Sequence, residues 1–271
     1  MLKYRLLSFP LLLGILALIF FSPEKYGAPV FAFAAAAMIA AAVTECAKML
    51  DKIGIGTLPR SAGVVAFMIM IAGSKLGLGI SAFWILMFGA ISLAWLSLLV
   101  SREKFASKVF NTAGILALLV IPYMMLTGHY YEDPLRLLFI ILATKAMDTG
   151  GYIFGMISGK LLPGGNHKLC PSVSPKKSWE GALGGVILSL AVGWAFYKYA
   201  GGMSLTKYLV FSGIFALASI LGDLTESALK RRCGVKDSGS WIPGMGGALD
   251  VLDSFIYTGF AALPLFNSFM N

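Results

Sequence analysis

Long runs without Lys, Arg, Asp or Glu dominate this chain, and they leave few folds open to it. They cover 6–23, 26–44, 61–74, 76–101, 109–131, 181–197, 208–222 and 254–271, and 134–157 joins them apart from Arg136, Lys145 and Asp148. Most approach the roughly 20 residues that a helix needs to cross about 30 Å of hydrocarbon. Only helices and closed barrels satisfy their backbone in lipid, and runs of this length without alternation select helices. The sequence therefore predicts an all-α, polytopic membrane protein with about nine transmembrane helices. All 271 residues form a single integral membrane domain, in which 1–130 serve mainly for packing and 131–271 carry the chemistry. A mean hydropathy of +0.82, with 58% hydrophobic and 13% charged residues, excludes an ordinary soluble domain.

The first run follows Lys3 and Arg5 as a signal peptide would, but Ser22, Pro23 and Glu24 close it without a small-residue cleavage pattern, so it reads as a retained anchor. The net charge of +9 is distributed rather than clustered. With a cytoplasmic N-terminus and nine helices, sixteen of the 22 Lys and Arg fall on the cytoplasmic side. This positive-inside bias puts the C-terminus outside and predicts residence in the cell inner membrane. No nucleic-acid motif accompanies the charge. Cys46, Cys170 and Cys233 have no paired spacing and suggest neither a disulfide framework nor zinc.

The N-terminal half offers little chemistry. The run FAFAAAAMIAAAV at 31–43 reads as a helix-packing surface, and small residues of this kind also allow a homodimer. Glu45 and Lys48 read as a helix-end ion pair at i,i+3. The segment HYYED at 129–133 reads as an outside interfacial belt with a solvated His129.

From residue 140 the character changes. Lys145 and Asp148 share a helix face, either as a mutually neutralising pair or as part of a site, and glycines at 150, 151, 155 and 159 allow backbone or ligand to come close. The inner loop ends in SPKKSWEG, where Lys176 and Lys177 are candidate phosphate partners and Glu180 suits a helix N-terminus. Asp223, Glu226 and Ser227 project from one face of the eighth span. Asp250 and Asp253 repeat the i,i+3 spacing at the start of the ninth, beyond a loop holding Lys230, Arg231, Arg232, Lys236 and Asp237. Carboxylates at the edge of hydrocarbon need partners, water or a metal. With His167 as the only nearby histidine, hard oxygen donors favour Mg²⁺ or a similar cation, with room for a second one.

The ordered pattern Ser227, Lys230, Arg231, Lys236, Asp237, Ser238, Gly239, Pro243, Gly244, Gly246, Gly247, Asp250, Asp253 resembles the signature of phosphatidate cytidylyltransferases, the CDP-diacylglycerol synthases. Asp148 with its glycines and the SPKKSWEG run extend the likeness over about 140–260. Met245 stands where that family usually has histidine, and Val251 where it usually has arginine.

The resemblance implies that CTP and phosphatidic acid give CDP-diacylglycerol and pyrophosphate at the cytoplasmic membrane face. It implies Asp223 and Asp250 as leading metal ligands, with Asp253, Glu226 and Asp148 as further ones. Ser174, Lys176, Lys177, Ser227, Lys230, Arg231, Lys236 and Asp237 would bind substrate. Alternatives are a CTP-dependent polyprenol kinase, a cytidylyltransferase for another lipid phosphate, or a cation-coupled transporter. A transporter would place its polar residues near the bilayer midplane and often in repeated halves, and this chain shows neither.

Overall fold

The structure is a computed structural model that describes residues 14, 16–76, 103–241 and 246–264. The described chain is mostly helical and divides into two compact units. Residues up to Glu132 together with Arg232–Leu252 form one, and Asp133–Arg231 with the residues from Asp253 onward form the other.

In the first unit, helix α1 (Glu24–Lys52) packs against α2 (Pro59–Leu76) and α3 (Glu103–Glu132). The alanine-rich stretch performs the expected packing: Ala36, Ile39, Val43 and Ala47 are buried along α1. Gly63 is required where α1 and α2 cross, because a Cβ there would stand 2.2 Å from Thr44 Oγ1. Ile53 caps α1, and Gly54 follows at φ 82°, a left-handed conformation suited to glycine. Side chains hold the connection to α2. Thr57 Oγ1 donates to Ala47 O (2.8 Å), Asn111 Nδ2 donates to Gly56 O (3.0 Å), and Leu58 N donates to Thr112 Oγ1 (3.0 Å).

One expectation is overturned here. His129 is fully buried and Tyr130 nearly so, because α3 continues through Glu132 and carries both into the packed face. Tyr130 stacks on Phe31 at 4.2 Å and donates to Ile19 O.

In the second unit, α4 (Pro134–Leu161) starts on Asp133, whose Oδ1 accepts Leu135 N (2.9 Å), with Pro134 at the first turn where its missing N–H costs nothing. An antiparallel pair, β1 (Lys168–Cys170) and β2 (Ser174–Ser178), leads into α5 (Trp179–Tyr199). This hairpin is a small departure from the all-α expectation. Ser178 caps α5 by accepting Gly181 N at 3.1 Å.

The glycines of α4 serve backbone approach rather than a break in the helix. A Cβ on Gly150 would lie 2.8 Å from Gly185 Cα, one on Gly181 would lie 2.6 Å from Gly151 O, and one on Gly185 would lie 2.5 Å from Met147 S. Helix α6 (Leu205–Arg232) joins this pair through Phe139, whose ring meets Tyr208 at 5.0 Å and Phe215 at 5.8 Å, and through Ser189 Oγ, which donates to Ser212 O.

The stretch carrying Asp250 and Asp253 is not one continuous helix. Asp250 lies in the short α7 (Ala248–Leu252) of the first unit. Asp253 follows the end of α7 and precedes α8 (Phe255–Ala261) in the second.

Among the described residues, five helices are long and apolar enough to cross a membrane: Lys25–Lys52, Ser107–Glu132, Pro134–Leu161, Trp179–Tyr199 and Leu205–Arg232. Val64, Met68, Leu183, Ile187 and Leu217 are exposed on helix surfaces. Such faces would be a liability in water and suit hydrocarbon. This is the build of a polytopic membrane protein. Of the nine expected spans, half of the first and nearly all of 76–101 lie outside the described residues, as does the end of 254–271.

The α4–α5 contact yields a direct test. Gly185→Val should destabilise the protein by about 1–3 kcal/mol through overpacking. Gly213→Ala, at a position with nothing within 4 Å of an added Cβ, should be neutral or slightly stabilising. Thermal melting of both variants in detergent would contradict this packing if they behaved alike.

Candidate active site

Within the second unit, α4, the hairpin, α5 and α6 enclose a cavity of about 260 Å³, with Asp148, Tyr152, Ser174, Lys176, Lys177 and Asp223 in its wall. The hairpin makes this possible. It carries Lys177 Nζ to within 2.5 Å of Asp223 Oδ2, linking residues that are 46 positions apart. Lys176, next along the strand, is exposed. One lysine is thus committed to a carboxylate while its neighbour presents a cation at the cavity. Glu180 anchors the hairpin from below: its two oxygens accept His167 N at 3.1 Å, and Oε1 lies 2.6 Å from His167 Nδ1.

Asp223 has a second neighbour. Its carboxyl is within hydrogen-bonding reach of Asp253, which also accepts Ser254 N at 2.6 Å. Gly222 allows this, since a Cβ there would collide with the Asp253 backbone carbonyl at 2.2 Å. Two carboxyls so close repel when both are ionised, and a proton or a cation relieves the repulsion. Asp148 is held differently. Its Oδ2 receives Lys145 Nζ at 3.0 Å, its Oδ1 receives Ser219 Oγ at 2.8 Å, and Lys145 Nζ also donates to Ser254 Oγ at 2.7 Å. The i,i+3 pair expected from spacing is present, and two serines complete it.

The other expected residues divide. Glu226 is buried and pairs with Lys230 at 2.5 Å, an i,i+4 ion pair within α6. Ser227 is partly buried, Arg231 is exposed, and Lys236 and Asp237 are exposed beyond the helix. Among the described residues, no group of three or more His, Cys, Asp or Glu side chains is arranged to hold a metal.

Asp250 belongs to the first unit, where it binds backbone N–H groups of two residues that precede α7. Its Oδ2 accepts Ser238 N at 2.9 Å and Gly247 N at 2.7 Å. Gly246, at φ 104°, makes the turn. Met245 lies outside the described residues, and Val251 is half-buried.

The residue that sequence reasoning underrated is Glu45. Instead of forming a helix-end pair with Lys48, its carboxylate is buried, and Oε2 accepts Ser238 Oγ at 2.9 Å and Leu249 N at 3.0 Å. Glycine is required at 239 and 247, where an added Cβ would lie 2.2 Å and 2.3 Å from its oxygens. The available signal was an acid within an alanine-rich span, which marks a partnered group by default. Glu45→Ala should strand two donors at a cost of about 1–3 kcal/mol and speed tryptic cleavage after Lys236. Glu45→Gln, which keeps an acceptor oxygen, should do less. Unchanged melting and proteolysis in Glu45→Ala would contradict this anchoring role.

Comparison with known proteins agrees with this picture. The chain is 38% identical over 174 residues to the phosphatidate cytidylyltransferase of Haemophilus influenzae, covering 61% of this chain and 54% of that protein. It is 39% identical over 178 residues to that of Staphylococcus saprophyticus, covering 65% and 64%. It is 40% identical over 144 residues to one from Staphylococcus epidermidis, covering 51% and 52%. The chain thus spans between about half and two thirds of the length of these relatives. The family model described as the cytidylyltransferase family matches residues 3–269, so the chain belongs to the cytidylyltransferase family.

Proposed function

We propose that this protein transfers CMP from CTP to phosphatidic acid, giving CDP-diacylglycerol and pyrophosphate, at the cytoplasmic face of the inner membrane. The observation that carries the reading is the cavity where Lys177 and Asp223 pair, with Asp253 beside them and Lys176 exposed at its wall. Family membership and the names of the relatives favour nucleotidyl transfer over cation-coupled transport.

The acceptor is a phosphate monoester whose second pKa is about 6, so it is already anionic near neutral pH and needs no strong base. One of its oxygens forms a bond to the α-phosphorus of CTP, the bond from that phosphorus to the bridging oxygen breaks, and pyrophosphate leaves with the electron pair. The protein's task is to gather negative charge and align the two phosphates. Lys176 is placed to receive phosphate oxygens directly. Lys177, held by Asp223, is oriented before substrate arrives, and triphosphate oxygens compete with Asp223 for its ammonium. The Lys145–Asp148–Ser219 group keeps the cavity wall rigid. Glu226 holds Lys230 within the helix at 2.5 Å as Asp223 holds Lys177, so this lysine too is oriented before phosphate arrives.

The residues fit a divalent cation. Asp223 and Asp253 supply hard oxygens whose mutual repulsion a cation relieves, and Mg²⁺ commonly takes one or two carboxylates and completes its shell with water and substrate phosphates. When bound, the cation would neutralise charge on the triphosphate and on departing pyrophosphate. Asp250, with Lys236 and Asp237 nearby in sequence, enters the reading through Ser238 and Gly247, whose N–H groups it accepts.

Purified protein given CTP and phosphatidic acid should release pyrophosphate in a manner abolished by EDTA and restored by Mg²⁺. Asp223→Asn and Lys177→Met should each lower kcat by about 100-fold or more, the scale of losing one transition-state charge contact. Turnover that persists in EDTA, or Asp223→Asn behaving as wild type, would refute the assignment.

A further inference from the structure

The first unit holds a larger cavity, of about 780 Å³, lined by none of the residues of the Lys177–Asp223 cavity. Its long wall is apolar, with Ala37 and Ala41 of α1 facing Val64 and Met68 of α2. Lys48 and Arg60, both exposed, line it near the α1–α2 connection, where Thr57 Oγ1 donates to Ala47 O, and the exposed indole of Trp241 also lines it. Ala37 and Lys48 lie eleven residues apart on one helix, about 16 Å at 1.5 Å per residue. That is close to one leaflet of hydrocarbon, half of the roughly 30 Å core. The groove is an apolar trough one leaflet deep, with two cations and an amphipathic ring at its rim.

Glu45 is the one acid in the described lining. Its Oε2 is engaged by Ser238 Oγ and Leu249 N, so its charge is directed into the wall. The rim therefore favours an anion, and its charge of two matches a phosphate monoester, which carries about −1.5 to −2 near neutral pH, better than a diester lipid carrying −1. A guanidinium beside an ammonium adds the forked geometry that phosphate oxygens accept.

We infer that this groove seats a diacyl lipid phosphomonoester, with an acyl chain against the alanine face and the phosphate between Lys48 and Arg60. The inference rests on the reading that the acceptor is a lipid phosphate, and it adds where such a lipid is held.

The test measures lipid retention separately from turnover. Full-length protein in detergent would be mixed with dioleoyl phosphatidic acid, phosphatidylglycerol or phosphatidylcholine, and bound lipid counted by native mass spectrometry. Phosphatidic acid should be retained about tenfold over the other two, a difference that the paired Lys48→Gln/Arg60→Gln substitution should remove. Ala37→Phe, which fills the apolar wall, should weaken retention independently of charge. In turnover assays both variants should raise the KM for lipid several-fold and leave the KM for CTP unchanged. Equal retention of phosphatidic acid and phosphatidylglycerol, or retention unaffected by both variants, would mean annular lipid only and would overturn the inference. Selective retention without any CTP turnover in the wild type would sustain the groove and remove the proposed reaction instead.

Discussion

A charge set in an apolar helix has to be met by a partner, and in the second unit this demand organises the site. Lys177 arrives on a strand and Asp223 on a helix, and their 2.5 Å contact holds the hairpin against α6. Asp148, deeper along α4, is met by Lys145 and Ser219, and Lys145 in turn reaches Ser254. The polar groups thus bind together the elements that line the cavity. The close α4–α5 approach supports the same end, because Gly150, Gly181 and Gly185 let the two backbones meet where side chains would hold them apart. A phosphate-handling site in such a setting needs no large rearrangement to present cations, since pairing with carboxylates has already oriented them.

The first unit applies the same rule to a loop. Asp250 gathers two backbone N–H groups, Glu45 gathers one N–H and one hydroxyl, and together they fix Ser238, Gly247 and Leu249. Glycine is needed at 239 and 247 because the Glu45 carboxylate occupies the space that a Cβ would take. The glycines at 239 and 247 reflect packing around the buried Glu45 carboxylate as much as any contact with substrate.

These arrangements were legible in the sequence to different degrees. Charge-free run length reveals the spanning helices, since the hydrocarbon core imposes length and composition directly. Helical spacing reveals the Lys145–Asp148 pair. It cannot reveal Lys177 with Asp223, which depends on a short hairpin carrying the lysine to a helix 46 residues further on. The same spacing rule misleads at Asp250 and Asp253, because the helix stops at Leu252 and the two carboxylates take different partners. It misleads again at Glu45, where a lysine at i+3 suggests a local pair but the true partners lie about two hundred residues away. His129 reads as polar and exposed by residue type, and only the continuation of α3 through Glu132 explains its burial. Local periodicity records which element a residue joins, whereas long-range pairing of charges decides what it does there.

In the proposed reaction CTP donates its cytidylyl group, rather than its terminal phosphate, to a lipid phosphate. Its most direct test is to supply CTP labelled at either the α- or the γ-phosphorus to the purified protein with phosphatidic acid, and to follow the label into extracted lipid. Cytidylyl transfer should carry α-label into the lipid fraction while γ-label leaves as pyrophosphate. Transfer of γ-label into lipid would contradict it and identify a kinase.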